Sequence, residues 1–438
     1  MAAQRNDRID VDVDPADLEA LFEPFDPSRH DAELPTGDPP ELGGDDPDDP
    51  IDWAYVESLA HGPLQDVINH YFRGELLGTE KLPDPDDGPC IVAPNHSGNA
   101  FPHDAIVLDA LLWGESGFSK AGKFRSVYTP QLASTWWMRP FAINDWWRRV
   151  GGVDMTFANF DALLDRGDRV IYYPEGVPGI GKGFLRRYQL QHFHSSFVVL
   201  GAKHDAPVYP VSVVNAEWVN PTSVTFEPVN RLFKKWLGIP FLPLPIAPLA
   251  FLFPFVFYLA FPCQMTFVVQ DPVDVRAMLR EEGCTDWSSP SREAVLRVAE
   301  RVRQRAQADL DAAVAAHGQQ PYDWGGLVDS LSQIRGRILR ATPLGWPIHY
   351  LKHERDRKRE PAPTRLHAFL RDLDLGAWYL PLGWFLIAAV RALRQPPYGH
   401  RGLSEDEERE HEGTYRWSLA ERPLPPRDSL SDDKSNDQ

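Results

Sequence analysis

Cysteine is scarce in this sequence of 438 residues, which contains three cysteines, Cys90, Cys263 and Cys284. They lie far apart, without the short spacing that thiolate zinc sites and disulfide frameworks use. The scarcity therefore excludes a small disulfide-stapled fold and predicts a reducing compartment.

Basic residues are also in deficit, because 45 lysines and arginines stand against 63 aspartates and glutamates, for a net charge of −18. A general nucleic-acid binder needs a basic face to neutralise phosphates, so we expect no nucleic-acid partner. Residues 1–20 contain no apolar run behind their charges, which is not the pattern of a secretory signal. The sequence therefore predicts a protein on the cytoplasmic side of a membrane.

Apolar residues are abundant, since 43% of the chain is hydrophobic and 14 residues are tryptophan. Such a composition predicts a folded core, whereas the acidic, proline-rich ends cannot bury enough apolar surface to fold. Composition thus divides the chain into four regions. They are a disordered acidic tail at 1–50, a domain at 51–316 with core motifs at 90–220, a membrane-associating amphipathic region at 317–400, and a disordered acidic tail at 401–438.

Short apolar runs alternate with helical patterns inside the predicted domain. CIVAPN at 90–95 and APVYPVSVVN at 206–215 predict strands, and DAIVLDALLW at 104–113 predicts a helix. Helical spacing also predicts a single lead-in helix over 51–76, beginning near Asp52. Strands that alternate with helices predict an α/β fold with a largely parallel central sheet flanked by helices.

Two apolar segments have few charges, at 236–263 and at 375–390. The first is long enough to span a bilayer, but six prolines interrupt it and each removes a helical hydrogen-bond donor. The second is short and combines tryptophan and tyrosine with flanking arginines. The first pattern favours a buried or membrane-surface segment over a spanning helix, and the second is typical of an interfacial or re-entrant anchor.

Polar residues follow the first predicted strand in the stretch APNHSGNAFPHDAIVL at 93–108. His96 would lie at the carboxyl end of this strand, where parallel sheets place their sites, and Asp104 opens the next helix. A carboxylate that fixes the tautomer of an imidazole lets the ring remove a proton from a hydroxyl. Asp104 could instead cap its helix while His96 bonds the backbone, and His103 is an alternative base or a loop residue.

The same stretch resembles the first block of the glycerolipid (lysophosphatidate) acyltransferase superfamily, whose signature is NHxxxxD. The stretch YYPEGVPGIGKGFLRRYQLQHF at 172–193 resembles the PEG block of that superfamily, in a bacterial branch that reads FPEG, GTGK and RYxLQRF. The resemblance covers about 76–275. Two departures are that seven residues separate His96 from Asp104, and that RRVGGVDMT at 148–156 has no basic residue after its glycines, where the family often binds phosphate.

The resemblance implies transfer of a fatty acyl group from acyl-CoA or acyl carrier protein to a hydroxyl of a glycerolipid or lysophospholipid-like acceptor at a membrane surface. His96 would be the general base and Asp104 would orient it. Neither a metal nor a further cofactor is expected. Glu175 and Gly176 would shape the acceptor site, and the basic residues that follow would neutralise phosphates. The implied substrate-binding residues are Asn95, Ser97, Gly98, Pro174, Glu175, Gly176, Lys182, Arg186 and Arg187.

Other functions fit the sequence less well. A serine hydrolase would need a GxSxG elbow, and a metal-dependent phosphohydrolase would need more carboxylates near His96. His192 and His194 lie two residues apart on a predicted helix and would point to different faces, which disfavours a metal pair. The alternative from another class is a lipid-binding protein that keeps the acyltransferase fold without the chemistry.

Overall fold

The computed structural model describes residues 51–97, 101–118, 123–128, 146–147, 150–223, 249, 252–287, 290–357, 364, 370–383, 385–387 and 389. The tails predicted at 1–50 and 401–438 lie outside the described residues, and so does most of the apolar segment before residue 252. The strands are β1 (Glu75–Leu77), β2 (Cys90–Pro94), β3 (Phe124–Tyr128), β4 (Val153–Asp154), β5 (Arg169–Ile171), β6 (Val208–Val214) and β7 (Thr266–Val269).

Helices surround these strands in the described part of the chain. In chain order they are α1 (Trp53–Ala60), α2 (Pro63–Asp66), α3 (His103–Glu115), α4 (Phe157–Asp165), α5 (Gly176–Gly181), α6 (Ser196–His204), α7 (Val275–Glu281), α8 (Arg292–His317), α9 (Trp324–Gln333), α10 (Ile338–Ala341) and α11 (Trp346–Arg357).

The strands form one seven-stranded sheet in the order β1-β7-β6-β2-β5-β3-β4. β6 and β7 pair antiparallel, and the other neighbours pair parallel. β2 lies in the middle, hydrogen-bonded to β6 on one side and to β5 on the other. The predicted α/β fold with a largely parallel sheet is confirmed, although the short strands β1 and β4 were not predicted.

Side chains of the central strand point alternately into two hydrophobic cores, as the two-residue period of a strand requires. Cys90 and Val92 pack in the core that contains α1 and α3, whereas Ile91 and Ala93 pack in the core that contains α4, α6 and α8. All five residues of β2 are buried. A parallel sheet covered on both faces is built from such continuous apolar strands, so β2 is fixed from every side.

The single lead-in helix predicted over 51–76 is wrong. Asp52 caps α1 as expected, since its Oδ1 accepts the Tyr55 N–H at 2.9 Å. The chain then breaks at Gly62, whose ψ of −112° lies outside the helical region, before α2 and a π-helical turn at Val67–Tyr71. In the sequence, apolar residues keep a helical spacing across Gly62 and into β1, because all of these segments bury one side on the same core.

The described parts of the two apolar segments lie against each other. The Leu382 N–H donates to the Leu252 carbonyl at 2.8 Å, and the rings of Phe255 and Tyr379 have centroids 5.7 Å apart. In the described residues, each segment contains a 3-10 helix, at Pro254–Tyr258 and at Leu373–Tyr379. No helix in the described ranges has both the length and the apolar character to cross a membrane.

A buried carboxylate joins α3 to β3. The Ser126 hydroxyl donates to Asp109 Oδ2 at 2.6 Å, while Asp109 Oδ1 is buried without a hydrogen-bond partner among the described residues. Burial raises the pKa of Asp109 from 3.8 to about 7; the Ser126 hydrogen bond opposes this rise and the charge of Asp104 adds to it. The folded protein therefore holds this proton at mildly acidic pH.

Replacing Asp109 by asparagine should remove one contribution to the pH dependence of stability. Because the folded-state pKa is raised, the wild type loses stability as the pH rises from about 4 to about 7, whereas an amide does not titrate. The free energy of unfolding of Asp109→Asn should therefore rise relative to that of the wild type across this window, by ~4 kcal/mol above pH 7. Urea unfolding between pH 4 and pH 8 measures the difference.

The matched control is Asp329→Asn, at an exposed carboxylate on α9. Because this side chain is exposed, the substitution should change the free energy of unfolding by no more than about 0.5 kcal/mol. A difference between Asp109→Asn and the wild type that stays flat with pH would contradict the raised pKa.

Candidate active site

Three adjacent strands end at one edge of the sheet, and each is followed by a buried polar side chain. His96 follows β2, Glu175 follows β5 and Glu217 follows β6, with exposures of 6%, 0% and 1%. The carboxyl ends of parallel strands meet at one edge, so the topology brings together residues that are up to 121 positions apart in the sequence.

His96 and Asp104 form a buried pair despite the seven residues between them. His96 Nδ1 lies 3.5 Å from Asp104 Oδ2, and the Ser97 N–H donates to the same oxygen at 3.0 Å. Burial opposes ionisation of Asp104, but the interaction with the His96 ring and the N–H groups of Ser97 and Ala105 outweigh it and lower its pKa. An ionised carboxylate beside Nδ1 can orient the imidazole and leave Nε2 for chemistry.

Glu175 fixes the main chain that carries His96. Its Oε1 accepts the His96 N–H at 2.8 Å and its Oε2 accepts the Gln191 N–H at 2.7 Å. Both carboxylate oxygens thus accept hydrogen bonds within the protein, and the part of Glu175 in shaping the acceptor site stays a prediction. The charged hydrogen bonds join the end of β2, the loop after β5 and the segment before α6.

Asn95 and Ser97 are also engaged inside the protein. The Asn95 side chain accepts the Val213 N–H at 2.7 Å and faces the Val213 carbonyl at 3.5 Å, which extends the pairing of β2 with β6 by one position. Both residues are buried. These hydrogen bonds support the main chain around His96, and the substrate contact of Asn95 and Ser97 stays a prediction. Gly98 lies outside the described residues.

Tyr173 was missed by the sequence analysis. Its ring stacks on the His96 imidazole, with centroids 4.1 Å apart and planes inclined by 13°. Burial, with the charges of Asp104 and Asp109, raises the pKa of Tyr173 well above its ordinary value, so it stays a neutral phenol. Tyr173 immediately precedes the PEG block, where an aromatic residue alone does not indicate stacking on a histidine. The ring restricts the plane of the imidazole.

The glycines of the PEG stretch permit close packing around the pair. Gly176 has a φ of +54°, and a Cβ there would lie 3.0 Å from His194 Nε2. At Gly179, which the sequence analysis did not name, a Cβ would lie 2.5 Å from Glu175 Cβ and 3.0 Å from His96 Cβ. The helix α5 can approach His96 only because residue 179 has no side chain. The glycine-rich stretch PGIG at 178–181 was the sequence signal for this close packing.

The basic residues after the PEG block occupy two different environments. Lys182 is buried, with Nζ 3.6 Å from Glu217 Oε1 and 3.9 Å from Glu175 Oε2, and its predicted contact with a phosphate stays a prediction. Arg186 and Arg187 are exposed, and the Arg187 guanidinium lies 4.8 Å from the centre of the Phe184 ring. Phosphate binding by these two arginines stays a prediction.

The remaining histidines of the sequence analysis lie in other surroundings. His103 is 2% exposed among aromatic rings, including Phe101 at 4.9 Å and Trp346 at 5.3 Å. Burial lowers the pKa of His103 to about 4 although Asp104 opposes the shift, so its ring is neutral at neutral pH. Residues 191–194 were predicted to lie on a helix, but the structure shows no helix there. The described ranges contain no cluster of metal-ligand residues.

Pro174 lies between Tyr173 and Glu175 and is buried. Its carbonyl accepts the His194 N–H at 2.8 Å, which holds the 191–194 segment against the PEG loop. The predicted substrate contact of Pro174 and Gly176 stays a prediction, since the structure holds no substrate. The PEG loop therefore packs against the His96 loop on one side and the 191–194 segment on the other.

Substituting Gly179 tests the close packing. Gly179→Ala should lower the free energy of unfolding by about 1–3 kcal/mol, because the new methyl group would overlap Glu175 and press on His96. Gly114→Ala is the matched control, since Gly114 is also helical and its Cβ would meet no atom within 4 Å. That change should leave stability unchanged or raise it by up to about 1 kcal/mol. Equal urea unfolding curves for the two variants would refute the packing argument.

Several mycobacterial proteins are similar to this chain. The chain is 30% identical over 189 residues to uncharacterized proteins of Mycobacterium tuberculosis and Mycobacterium bovis, and the match covers 43% of this chain and 49% of each relative. A Mycobacterium leprae protein is 29% identical over 189 residues, covering 43% of this chain and 48% of its own length. This chain therefore spans about half the length of these relatives.

The crystal structure of the 1-acyl-sn-glycerophosphate acyltransferase from Thermotoga maritima is also similar. The TM-score is 0.33 at 16% identity, over 59% of this chain and 80% of that one.

The family model described as Acyltransferase matches residues 74–214. The matched range contains His96, Asp104 and the whole PEG stretch, which confirms the resemblance found in the sequence. Residues 74–214 of this chain thus match the Acyltransferase family.

Proposed function

We propose that this protein is an O-acyltransferase that moves a fatty acyl group from a thioester to a hydroxyl of a glycerolipid or lysophospholipid-like acceptor. The observation that carries the proposal is the buried His96–Asp104 pair at the carboxyl end of the central strand, inside an acyltransferase domain. The donor in this proposal is acyl-CoA or acyl carrier protein.

The proposed reaction needs one base and no covalent enzyme intermediate. His96 Nε2 removes the proton of the acceptor hydroxyl while the acceptor oxygen attacks the thioester carbonyl carbon. Asp104 stabilises the imidazolium that forms. The carbon–sulfur bond then breaks, the new ester leaves, and the thiolate takes the proton from the imidazolium to give a free thiol. Protons and electron pairs balance without a metal or a redox partner.

The surroundings of His96 support this role because they hold the ring before a substrate arrives. Glu175 fixes the His96 main chain, Tyr173 restricts the ring plane, and Asp104 lies beside Nδ1. A base that is already oriented loses little entropy at the moment of proton transfer. Exposed Arg186 and Arg187 follow the PEG block and are the proposed contacts for phosphates of the donor or of a lipid headgroup.

Acyl transfer by the purified protein tests the proposal directly. The wild type should move a labelled acyl group from acyl-CoA or acyl carrier protein to a component of a total lipid extract. His96→Ala and Asp104→Asn should each lower the rate by ~10²–10⁴-fold, the usual contribution of a general base. The labelled product, separated by chromatography, identifies the acceptor.

A second His–Asp contact provides the matched control. His204 Nε2 lies 2.6 Å from Asp161 Oδ1 between α6 and α4, away from the carboxyl edge of the sheet. His204→Ala and Asp161→Asn should keep the wild-type rate. An active wild type with an equally active His96→Ala variant would remove His96 from the mechanism. An inactive wild type that still binds lipid would favour the lipid-binding alternative.

The proposal also includes work at a membrane surface on the cytoplasmic side. Support comes from an exposed apolar face that the two contacting apolar segments form. Leu380 and Leu386 on this face are 59% and 53% exposed. A cluster of exposed large apolar side chains with aromatic neighbours is typical of a surface that meets lipid. The name apolar face stands here for the exposed large apolar side chains in the described parts of the two segments, which are Leu249, Leu252, Leu259, Phe261, Tyr379, Leu380, Leu382, Phe385 and Leu386.

Charge introduced on the apolar face should weaken vesicle binding. The double substitution Leu380→Glu with Leu386→Glu removes two leucine side chains from the lipid contact, and should lower the fraction that floats with phospholipid vesicles by at least ~10-fold. Val328→Glu is the control, because Val328 is 66% exposed on α9, outside the apolar face. Equal flotation of the double variant and the wild type would exclude this face as the membrane contact.

A further inference from the structure

Three ionisable side chains are buried together next to His96. Lys182 at the end of α5 lies between Glu175 and Glu217, and all three side chains are 0–1% exposed. Lys182 Nζ makes no hydrogen bond among the described residues, and it forms ion pairs with these two carboxylates at 3.6 Å and 3.9 Å. A buried ammonium group requires compensation by opposite charge, which the two glutamates supply.

The two carboxylates differ in what else they bind. Glu175 accepts the N–H groups of His96 and Gln191, one with each oxygen. Glu217 accepts the Tyr188 N–H at 3.2 Å through Oε1, whereas its Oε2 is buried without a hydrogen-bond partner among the described residues. Lys182 therefore connects a carboxylate that holds the His96 main chain to one that belongs to the turn after β6.

Hydrogen bonds and a ring contact hold the turn that carries Glu217 against Phe184 and Tyr188. The Tyr188 hydroxyl donates to Asn215 Oδ1 at 3.1 Å and accepts the Trp218 indole N–H at 3.1 Å. Phe184 also packs edge-on against Trp218, with ring centroids 5.0 Å apart. Hydrogen bonds to other parts of the chain hold both Glu175 and Glu217, so the two carboxylates fix the position of Lys182 between them.

We propose that Lys182, held by Glu217, is a positioning residue for His96: its ammonium group keeps the Glu175 carboxylate in the orientation in which Oε1 binds the His96 N–H. The inference rests on the proposed acyl transfer for its rate measurement. It assigns Lys182 to the support of the base, in place of the predicted contact with a substrate phosphate. Without the cation, two buried carboxylates would face each other, and Glu175 would rotate or take up a proton.

Lys182→Met removes the charge and keeps most of the side-chain length. The variant should lower kcat by ~10–100-fold, the effect of misplacing a catalytic group by a fraction of an ångström to one ångström. The KM for the acyl donor should stay near the wild-type value. Lys203→Met is the matched control, because Lys203 is an exposed lysine paired with Asp161 at 2.7 Å, and it should change neither constant. An unchanged kcat in Lys182→Met, or a raised KM with unchanged kcat, would overturn the proposal.

A double-variant cycle separates support through Glu175 from a direct role of Lys182. If Lys182 acts through Glu175, the combination Glu175→Gln with Lys182→Met should be no slower than the slower single variant. Losses that multiply would show that Lys182 acts elsewhere and would overturn the proposal. The pair Lys182→Met with Glu217→Gln removes one buried carboxylate together with the ammonium group, and replaces the single variant if that one does not fold. It should also lower kcat, because Glu175 still loses the ammonium group that orients it.

A readout without turnover distinguishes failure of this inference from failure of the proposed function. In the wild type, carbon-13 labelled histidine gives the chemical shift and titration of the His96 imidazole by NMR, assigned with His96→Ala. Lys182→Met should shift this signal and Lys203→Met should not. If the wild type transfers no acyl group, the proposed function fails while this shift still tests the positioning role. An unmoved His96 signal would overturn the inference whatever the activity.

Discussion

The carboxylate of Glu175 is the interaction on which the rest of the site depends. Two N–H groups from separate parts of the chain meet on its two oxygens, one from His96 and one from Gln191. This bridge joins the loop after β2 to the loop after β5 by hydrogen bonds, in addition to the stacking of Tyr173 on His96. An ionised side chain that is 0% exposed is costly, and the cost is offset here by charged hydrogen bonds and by the nearby ammonium group of Lys182.

The order of strands explains why a single carboxylate can have this effect. β2 has β5 and β6 as neighbours, so the residues that follow these strands share one edge of the sheet. His96 is placed by the middle strand, Glu175 by one neighbour and Glu217 by the other. Each strand is held by apolar packing on both faces, so the polar side chains at their ends sit on a rigid frame. The packing of the two cores therefore fixes the geometry of the His96–Asp104 pair.

Most of the fold and the central pair could be predicted from local sequence. Alternating apolar runs indicated the parallel sheet, and the motif spacing indicated His96 and Asp104, because strand periodicity and chain order are local properties. The break at Gly62 could not be predicted, since apolar spacing runs through it without change. Nor could the stacking of Tyr173 on His96 or the burial of Lys182. Both depend on which strands become neighbours, and a lysine after a glycine-rich loop looks the same in sequence whether it faces solvent or two buried carboxylates.

The described end of the first apolar segment reaches the site through two aromatic rings. The Phe101 ring centroid lies 4.8 Å from that of Tyr258 and 4.9 Å from that of His103, and His103 immediately precedes Asp104. Phe257 and Tyr258 are buried in the core that contains α1 and α3. A change of side-chain volume at Tyr258 therefore has a direct route to the carboxylate beside His96, so the apolar segment and the His96–Asp104 pair can vary only together.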